Sequence, residues 1–277
     1  MDETGFARHV RACNNASLPG NRTPLWVCGV QVGWLTPAVA TALDQYPQVR
    51  RRPDGGLSLQ EPAKLPEIAR DLAHRGLYRW RGEAFDVRAD MAGPSLAQID
   101  RGALPSFGIA AHGVHVNGLV SRREDLNVWV ARRARDKALD PGKLDHVVAG
   151  GVPAGLGALE TLIKEAEEEA SIPPDLAVQA VPVAMIRYVM ERPEGLRRDV
   201  LTCYDLELPV DFTPVAADGE VEAFELWPVA QVLETVRDTD DFKFNVNLVL
   251  IDLFIRRGLI GSAEASGLRT ALTVGRV

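Results

Sequence analysis

Cysteine is sparse: three residues, Cys13, Cys28 and Cys203, are scattered through 277 positions, and no two form a C-x-x-C pair. That excludes a disulfide framework and a cysteine-built zinc site. No apolar run approaches the roughly 20 residues needed to span a bilayer, so no membrane partner is expected. Basic residues are outnumbered, 31 Lys and Arg against 38 Asp and Glu, for a formal net charge of -7. This is the wrong sign for a duplex-binding surface, and no nucleic-acid duplex is expected as a partner. Aromatics make up only 6%, so no stacking residue for a ligand ring stands out. There is no repeat at a solenoid period and no low-complexity block. The opening stretch, MDETGFARHVRACNN, lacks the basic-then-apolar layout of a secretion signal, and the chain reads as cytoplasmic.

What remains is an ordinary globular composition, 46% hydrophobic and 25% charged, at a length comfortable for two modest domains. Up to about residue 108 short elements alternate with turn signals. Pro24 to Trp34 is β-rich. Thr36 to Leu43 is a helix with Thr36 as N-cap and Pro37 in its first position. A D-G-G turn within Arg52 to Gln60 predicts a hairpin, and Leu65 to Arg75 a helix ended by Gly76. Trp80 to Val87 reads as a further strand. Beyond residue 108, Gly113 to Val120 and Asn127 to Ala131 alternate apolar and polar side chains around an acidic turn at Glu124 and Asp125, a hairpin pattern. Asp145 to Ala149 is a third strand, running into Gly150 and Gly151. Further strands are expected at Ala177 to Arg187, Val200 to Leu208 and Ala223 to Leu226, and helices at Val229 to Val236 and Val246 to Arg257. The fold class is α+β, with domains at 1–108 and 109–277. Arginine clusters at Arg50 to Arg52, Arg132 to Arg135, Arg197 and Arg198, and Arg256 and Arg257 are expected to be solvated faces.

The informative stretch is GGVPAGLGALETLIKEAEEEASI, from Gly150 to Ile172. At 100° per residue, Leu159, Leu162, Ile163, Ala166 and Ala170 form one apolar stripe to pack on a sheet. Glu165, Glu168 and Glu169, spaced i, i+3 and i+4, share another face. Three such carboxylates repel one another. They are tolerated on a solvated face, or where a hard divalent ion takes them as oxygen ligands. A strand, a glycine pair, a short loop and then this helix favour the second reading.

Here the chain resembles the Nudix hydrolases, whose signature is G-x5-E-x7-R-E-U-x-E-E-x-G-U, U being bulky and apolar. Aligned without gaps, Gly150 is the first glycine, Lys164 to Glu169 stand for R-E-U-x-E-E, and Ile172 is the last U. Leu156 replaces the first Glu, Lys164 the Arg, and Ser171 the final Gly. The resemblance implies a Nudix α/β/α sandwich with a mixed sheet, preceded by a small α+β domain. It also implies that Glu165, Glu168 and Glu169 hold catalytic Mg²⁺ or Mn²⁺. The runs HGVHVNGLV, LNVWVARRARDK, PGKLDHVVAGG and FKFNVNLVLIDLFIRRG resemble the subgroup related to the Nudix half of a fungal thiamine pyrophosphokinase. That resemblance implies hydrolysis of a small-molecule diphosphate, thiamine diphosphate or its oxidised analogues, to the monophosphate plus phosphate. Nucleoside triphosphates, dinucleotides and ADP-ribose stay open as substrates, as does a non-catalytic ligand-binding module. An isomerase chemistry ranks last, because Cys203 has no supporting motif.

Several residues outside the box are candidates. Glu220 and Glu222 would supply a base or an extra ligand, unless D-G-E-V-E is only a solvated turn. Arg132, Arg133 and Lys137 resemble the subgroup's R-R-x-x-x-K pattern and would contact diphosphate, with at most one of the two arginines facing inward. Gly150 and Gly151 would let substrate approach the backbone. His112, His115 and Asn117 read as structural, and Lys243, Asn245 and Asn247 as capping the last long helix rather than touching substrate. The N-terminal domain either walls the pocket or mediates a homodimer.

Overall fold

The computed structural model describes residues 5–122, 125–137, 139–217 and 219–273. The first part contains α1 (Ala7–Cys13), β1 (Thr23–Val27), β2 (Val30–Leu35), α2 (Pro37–Leu43), β3 (Val49–Arg51), β4 (Leu57–Leu59), α3 (Leu65–His74), β5 (Ala84–Val87), β6 (Ala97–Asp100) and α4 (Leu104–Phe107). Strands β1 and β2 make an antiparallel hairpin across Cys28 and Gly29, and the sheet runs β2-β1-β4-β3 with β1 and β4 parallel. Helix α2 begins as the sequence predicts: the Thr36 hydroxyl accepts Val39 N–H at 3.4 Å, and Pro37 has no N–H to strand. The D-G-G turn closes the β3–β4 hairpin, with Asp54 Oδ1 accepting Gly56 N–H at 2.9 Å. Only Ala84–Val87 of the expected Trp80 to Val87 strand is extended, and it pairs with β6 in a separate two-stranded ribbon.

The second part contains β7 (Ala110–Arg122), β8 (Asp125–Arg133), β9 (Leu144–His146), β10 (Val148–Gly151), α5 (Ala158–Ala170), α6 (Pro174–Ala177), β11 (Val181–Arg192), β12 (Gly195–Glu207), β13 (Val221–Pro228), α7 (Val229–Asp238), α8 (Val246–Arg256) and α9 (Ser262–Thr273). Glu124 in the β7–β8 turn and Asp218 before β13 lie outside the described residues. The sheet runs β11-β12-β7-β8-β13, with β10 added to β7 and β9 to β8. Only β12 and β7 are parallel, so the sheet is mixed. The strand expected from Ala177 starts four residues later, because Pro173 and Pro174 first launch the short α6.

Alternation along β7 separates the two cores. Val114, Val116 and Val120 pack with Leu162, Ala166 and Ala170 of α5, whereas Leu119 belongs with Val249, Leu253 and Phe254 of α8. The sheet is thus covered on both faces, which is the α/β/α sandwich on an α+β chain. Among the described residues, no helix is long and apolar enough to cross a membrane. Helix α1 is the exception to a simple division at residue 108. Phe6, Val10 and Cys13 sit in the α8 core, and the rings of Phe6 and Phe254 lie 6.0 Å apart.

Candidate active site

Helix α5 is held at both ends and along one side. Glu160 reaches back to accept Gly157 N–H at 2.8 Å, and Ser171 ends the helix in a left-handed conformation. Leu162, Ala166 and Ala170 are fully buried on the sheet as the stripe predicts, but Leu159 is exposed, one turn too early to reach it. The acids divide by depth. Glu169 is 8% exposed and accepts Ala149 N–H from β10 at 3.0 Å. Burial, joined by the charges of Asp145, Glu165 and Glu220, pushes its carboxyl up to about 8 against the pull of that hydrogen bond. Glu165 lies flat on Gly150: a Cβ there would come within 2.6 Å of Glu165 Cγ. Burial also raises Glu165, opposed by Lys164 and reinforced by Glu168 and Glu83. Glu168 is half exposed, and Lys164 Nζ lies 2.5 Å from it and 3.2 Å from Glu165.

Lys164 therefore stands where a countercharge is needed, between two of the three acids. Glu169, deeper in, meets three negative fields and one N–H. An all-oxygen set of this kind fits a hard divalent cation, and the buried acid has the most to gain from one. A second group, His115, Asp145 and His146, brings its donor atoms within 4.8 Å of one another, fully buried. It fits a cation poorly. Arg133 NH1 at 2.6 Å and Lys243 Nζ at 3.3 Å already neutralise Asp145, and two positive charges would face any ion placed there. Burial raises Asp145, but Lys243 and Arg133 outweigh it and hold the carboxyl below the usual range. The imidazoles bond to each other, Nδ1 to Nδ1, at 2.9 Å, and burial drives both toward the neutral form, His146 to about 4.

The remaining candidates fall into place around these two clusters. Arg133 is the inward member of the arginine pair, but its three nitrogens are spent on Asp140 O, Leu139 O and Asp145. These bonds brace the loop after β8. Arg132 reaches Gly142 O at 3.4 Å. Lys137 pairs with Glu220, and it is Glu220 whose charge is felt at Glu169. Glu222 accepts Arg135 N–H at 3.2 Å instead. Gly150 and Gly151 give room to neighbouring side chains, the first to Glu165 and the second to the ring of Phe85, whose Cζ would lie 2.6 Å from an added Cβ.

Two expectations are corrected here. Asn245 sits at the N-cap of α8 without capping it; its amide lies 3.4 Å from both His115 Nε2 and Tyr188 Oη. Several of the clustered arginines have partners within the fold. Arg133 and Arg197 pair with buried carboxylates, Arg256 with half-buried Asp205, and Arg198 donates to Val32 O and Gly108 O of the N-terminal domain. Only the Arg50 to Arg52 run faces mainly outward. Sequence spacing missed Asp145, because a lone acid ahead of a short apolar strand carries no period of its own.

Comparison with known proteins matches two parts of the chain to two families. Residues 5–111 match the family described as Domain of unknown function (DUF4743), and residues 111–247 match the NUDIX domain. The chain is 37% identical over 271 residues to Nudix hydrolase 24, chloroplastic, of Arabidopsis thaliana, covering 94% of this chain and 74% of that protein. It is 36% identical over 285 residues to Nudix hydrolase 20, chloroplastic, of the same plant, covering 96% and 76%. Among solved structures, DR0079 of Deinococcus radiodurans superposes with a TM-score of 0.48 at 22% identity, over 61% of this chain and 97% of that one. The cytoplasmic expectation is overturned by the two plant relatives, both of them chloroplastic; a polar opening stretch was no guide to compartment. With relatives this similar over nearly the whole chain, the protein belongs to the Nudix hydrolases, divalent-metal pyrophosphohydrolases, with a DUF4743 domain ahead of its Nudix domain.

Proposed function

We propose that this protein hydrolyses thiamine diphosphate or its oxidised analogues to the monophosphate and phosphate, with Mg²⁺ or Mn²⁺ held by Glu165, Glu168 and Glu169. The observation that carries the metal assignment is Glu169, a buried carboxylate with one N–H partner and three acidic fields around it. The substrate rests on the subgroup resemblance of the β7, β8 and α8 runs. A bound divalent ion supplies charge neutralisation for the diphosphate and a water of lowered pKa. The chain's own residues do the rest. Glu169 fixes the inner edge of the ion site against β10, and Glu165 is pressed to the strand by the absence of a side chain at Gly150. Lys164, which stands between Glu165 and Glu168, would be available to a phosphate oxygen with an ion in its place. Glu220, paired to Lys137 and felt as a charge at Glu169, would serve as the outer acid that accepts a proton from attacking water.

The test is phosphate release from thiamine diphosphate, its oxidised analogues, ADP-ribose and nucleotides, with and without Mg²⁺ or Mn²⁺, in wild type and Glu169→Gln. Metal-dependent turnover confined to the thiamine compounds and lost in the variant supports the whole reading. Turnover of another compound keeps the metal helix and removes the substrate.

A further inference from the structure

Residues 151–157 lead from β10 into α5, so their path sets where Glu165 and Glu169 stand. The two ends of this loop are held within its own domain: Val152 N–H donates to His112 O at 2.9 Å, and Gly157 N–H to Glu160 at 2.8 Å. The middle is held from the other domain. Ala154 N–H donates to Ala84 O at 2.8 Å, Gly155 N–H donates to Asp86 Oδ2 at 3.1 Å, and the Phe85 ring fills the space over Gly151. Leu156, where the family signature carries an acid, is 38% exposed and offers no side-chain acceptor to the loop. The acceptor comes from β5 instead.

Asp86 is built for that position. Its side chain is 10% exposed, Ser95 Oγ donates to Oδ1 at 2.7 Å, and Arg88 NH2 donates to Oδ2 at 2.8 Å. Just before β5, Glu83 contributes to the field at Glu165, and Arg101 holds it at 2.8 Å. A carboxylate clamped by two side chains of its own domain and bonded to a loop amide of the next is aimed. Its bond reaches the segment on which the ion site depends.

We propose that Asp86 is a positioning residue for hydrolysis: its carboxylate fixes Gly155 N–H, and through the 151–157 loop the N-terminal domain sets the cation-binding geometry of Glu165 and Glu169. This rests on the metal-helix reading above. Groups that orient ligands from behind typically change metal affinity or activity by about 10- to 100-fold when removed.

The experiment uses the full chain, wild type, Asp86→Ala and Asp86→Asn. Mn²⁺ binding is followed by electron paramagnetic resonance, amide hydrogen exchange is read over residues 151–157, and kcat is separated from KM on the best diphosphate. Asp86→Ala is expected to lose exchange protection in the loop, to weaken Mn²⁺ by about 10-fold or more, and to lower kcat more than it raises KM. Asp86→Asn, whose amide oxygen still accepts Gly155 N–H, is expected to restore all three. Should Asp86→Ala not fold, Ser95→Ala takes its place, freeing the carboxylate and weakening Mn²⁺ to a smaller extent. Unchanged Mn²⁺ binding in the alanine variants overturns the proposal, as does an Asn variant as impaired as Ala. A wild-type chain that binds Mn²⁺ but turns over no diphosphate removes the substrate reading alone, since exchange and Mn²⁺ binding still decide the role of Asp86.

Discussion

Replacing Glu169 by Gln should stabilise the metal-free protein at alkaline pH while removing its activity. The carboxyl moves from an ordinary 4.5 in the unfolded chain to about 8 in the fold. An acid raised in this way binds its proton more tightly when folded, so stability falls as pH rises. The group opposes folding little below about pH 4.5, increasingly up to about pH 8, and by a constant amount above that. At about 1.4 kcal/mol per tenfold change in proton affinity, the full penalty has an upper bound of about 5 kcal/mol. Glutamine carries no charge and keeps an oxygen for Ala149 N–H. In EDTA at pH 8.5 the variant should therefore melt well above wild type, at about 2–4 °C per kcal/mol recovered for a chain of this size. At pH 5.5, one unit above the unfolded value, the gap should shrink to about 1.4 kcal/mol. Mg²⁺ at 100 times its Kd should narrow the gap at pH 8.5 by about 2.7 kcal/mol, because it binds the wild-type carboxylate and not the amide. Differential scanning fluorimetry across pH 5.5 to 8.5 measures all of this. A variant no more heat-resistant than wild type at pH 8.5, or a gap independent of pH, would refute the reasoning.

Other perturbations reach different parts of the site. Gly150→Ala should displace Glu165 from β10, lowering kcat and raising the Mn²⁺ half-saturation by about 10- to 100-fold, read from initial rates over a metal titration. Arg133→Met leaves Asp145 buried with Lys243 as its remaining cation and strips two loop carbonyls of their donors. Urea unfolding should report a loss of about 3 kcal/mol or more, and a loss below 1 kcal/mol would mean the network is wetter than the structure shows. The same pair makes stability pH-dependent on the acid side. Because Asp145 is held below its usual range, its contribution is present above about pH 4 and disappears as pH falls further, so Asp145→Asn should flatten the acid limb of the unfolding curve. Finally, Glu220→Gln should lower kcat more than Glu222→Gln does, and the reverse order would return the outer acid to Glu222.

Helix α5 was legible because its signals are local and periodic. The stripe of Leu162, Ala166 and Ala170, the i, i+3, i+4 acids and the preceding glycine pair all lie within 23 consecutive residues, Gly150 to Ile172. The caps of α2, the D-G-G hairpin and the end of α3 at Gly76 were readable for the same reason. What the sequence hid is made by distant partners. Burial of Glu169 depends on Ala149 in β10, and neutral His115 on His146 and on burial beneath Asn245. Asn245 looks like a cap because asparagine usually is one, yet tertiary partners claim its amide. Helix α1 is a single short helix whose apolar face, Phe6, Val10 and Cys13, has meaning only beside α8. The arginines misled most, since charge density in one dimension does not reveal which carboxylate each will meet.

The placement of α1 changes how the two domains are joined. Phe6 packs against Phe254 of α8, and Ala16 N–H reaches Val189 O at the edge of β11, where Arg22 also pairs with Glu191. It then builds the N-terminal domain before returning through α4 into β7. That domain is anchored at both ends, like a handle rather than a pendant. A pendant domain swings about its single linker, whereas two separated attachments leave far less rotational freedom. The Asp86 to Gly155 bond is therefore made at a high effective concentration. Melting one domain should loosen the other, so the protein should unfold as one cooperative unit.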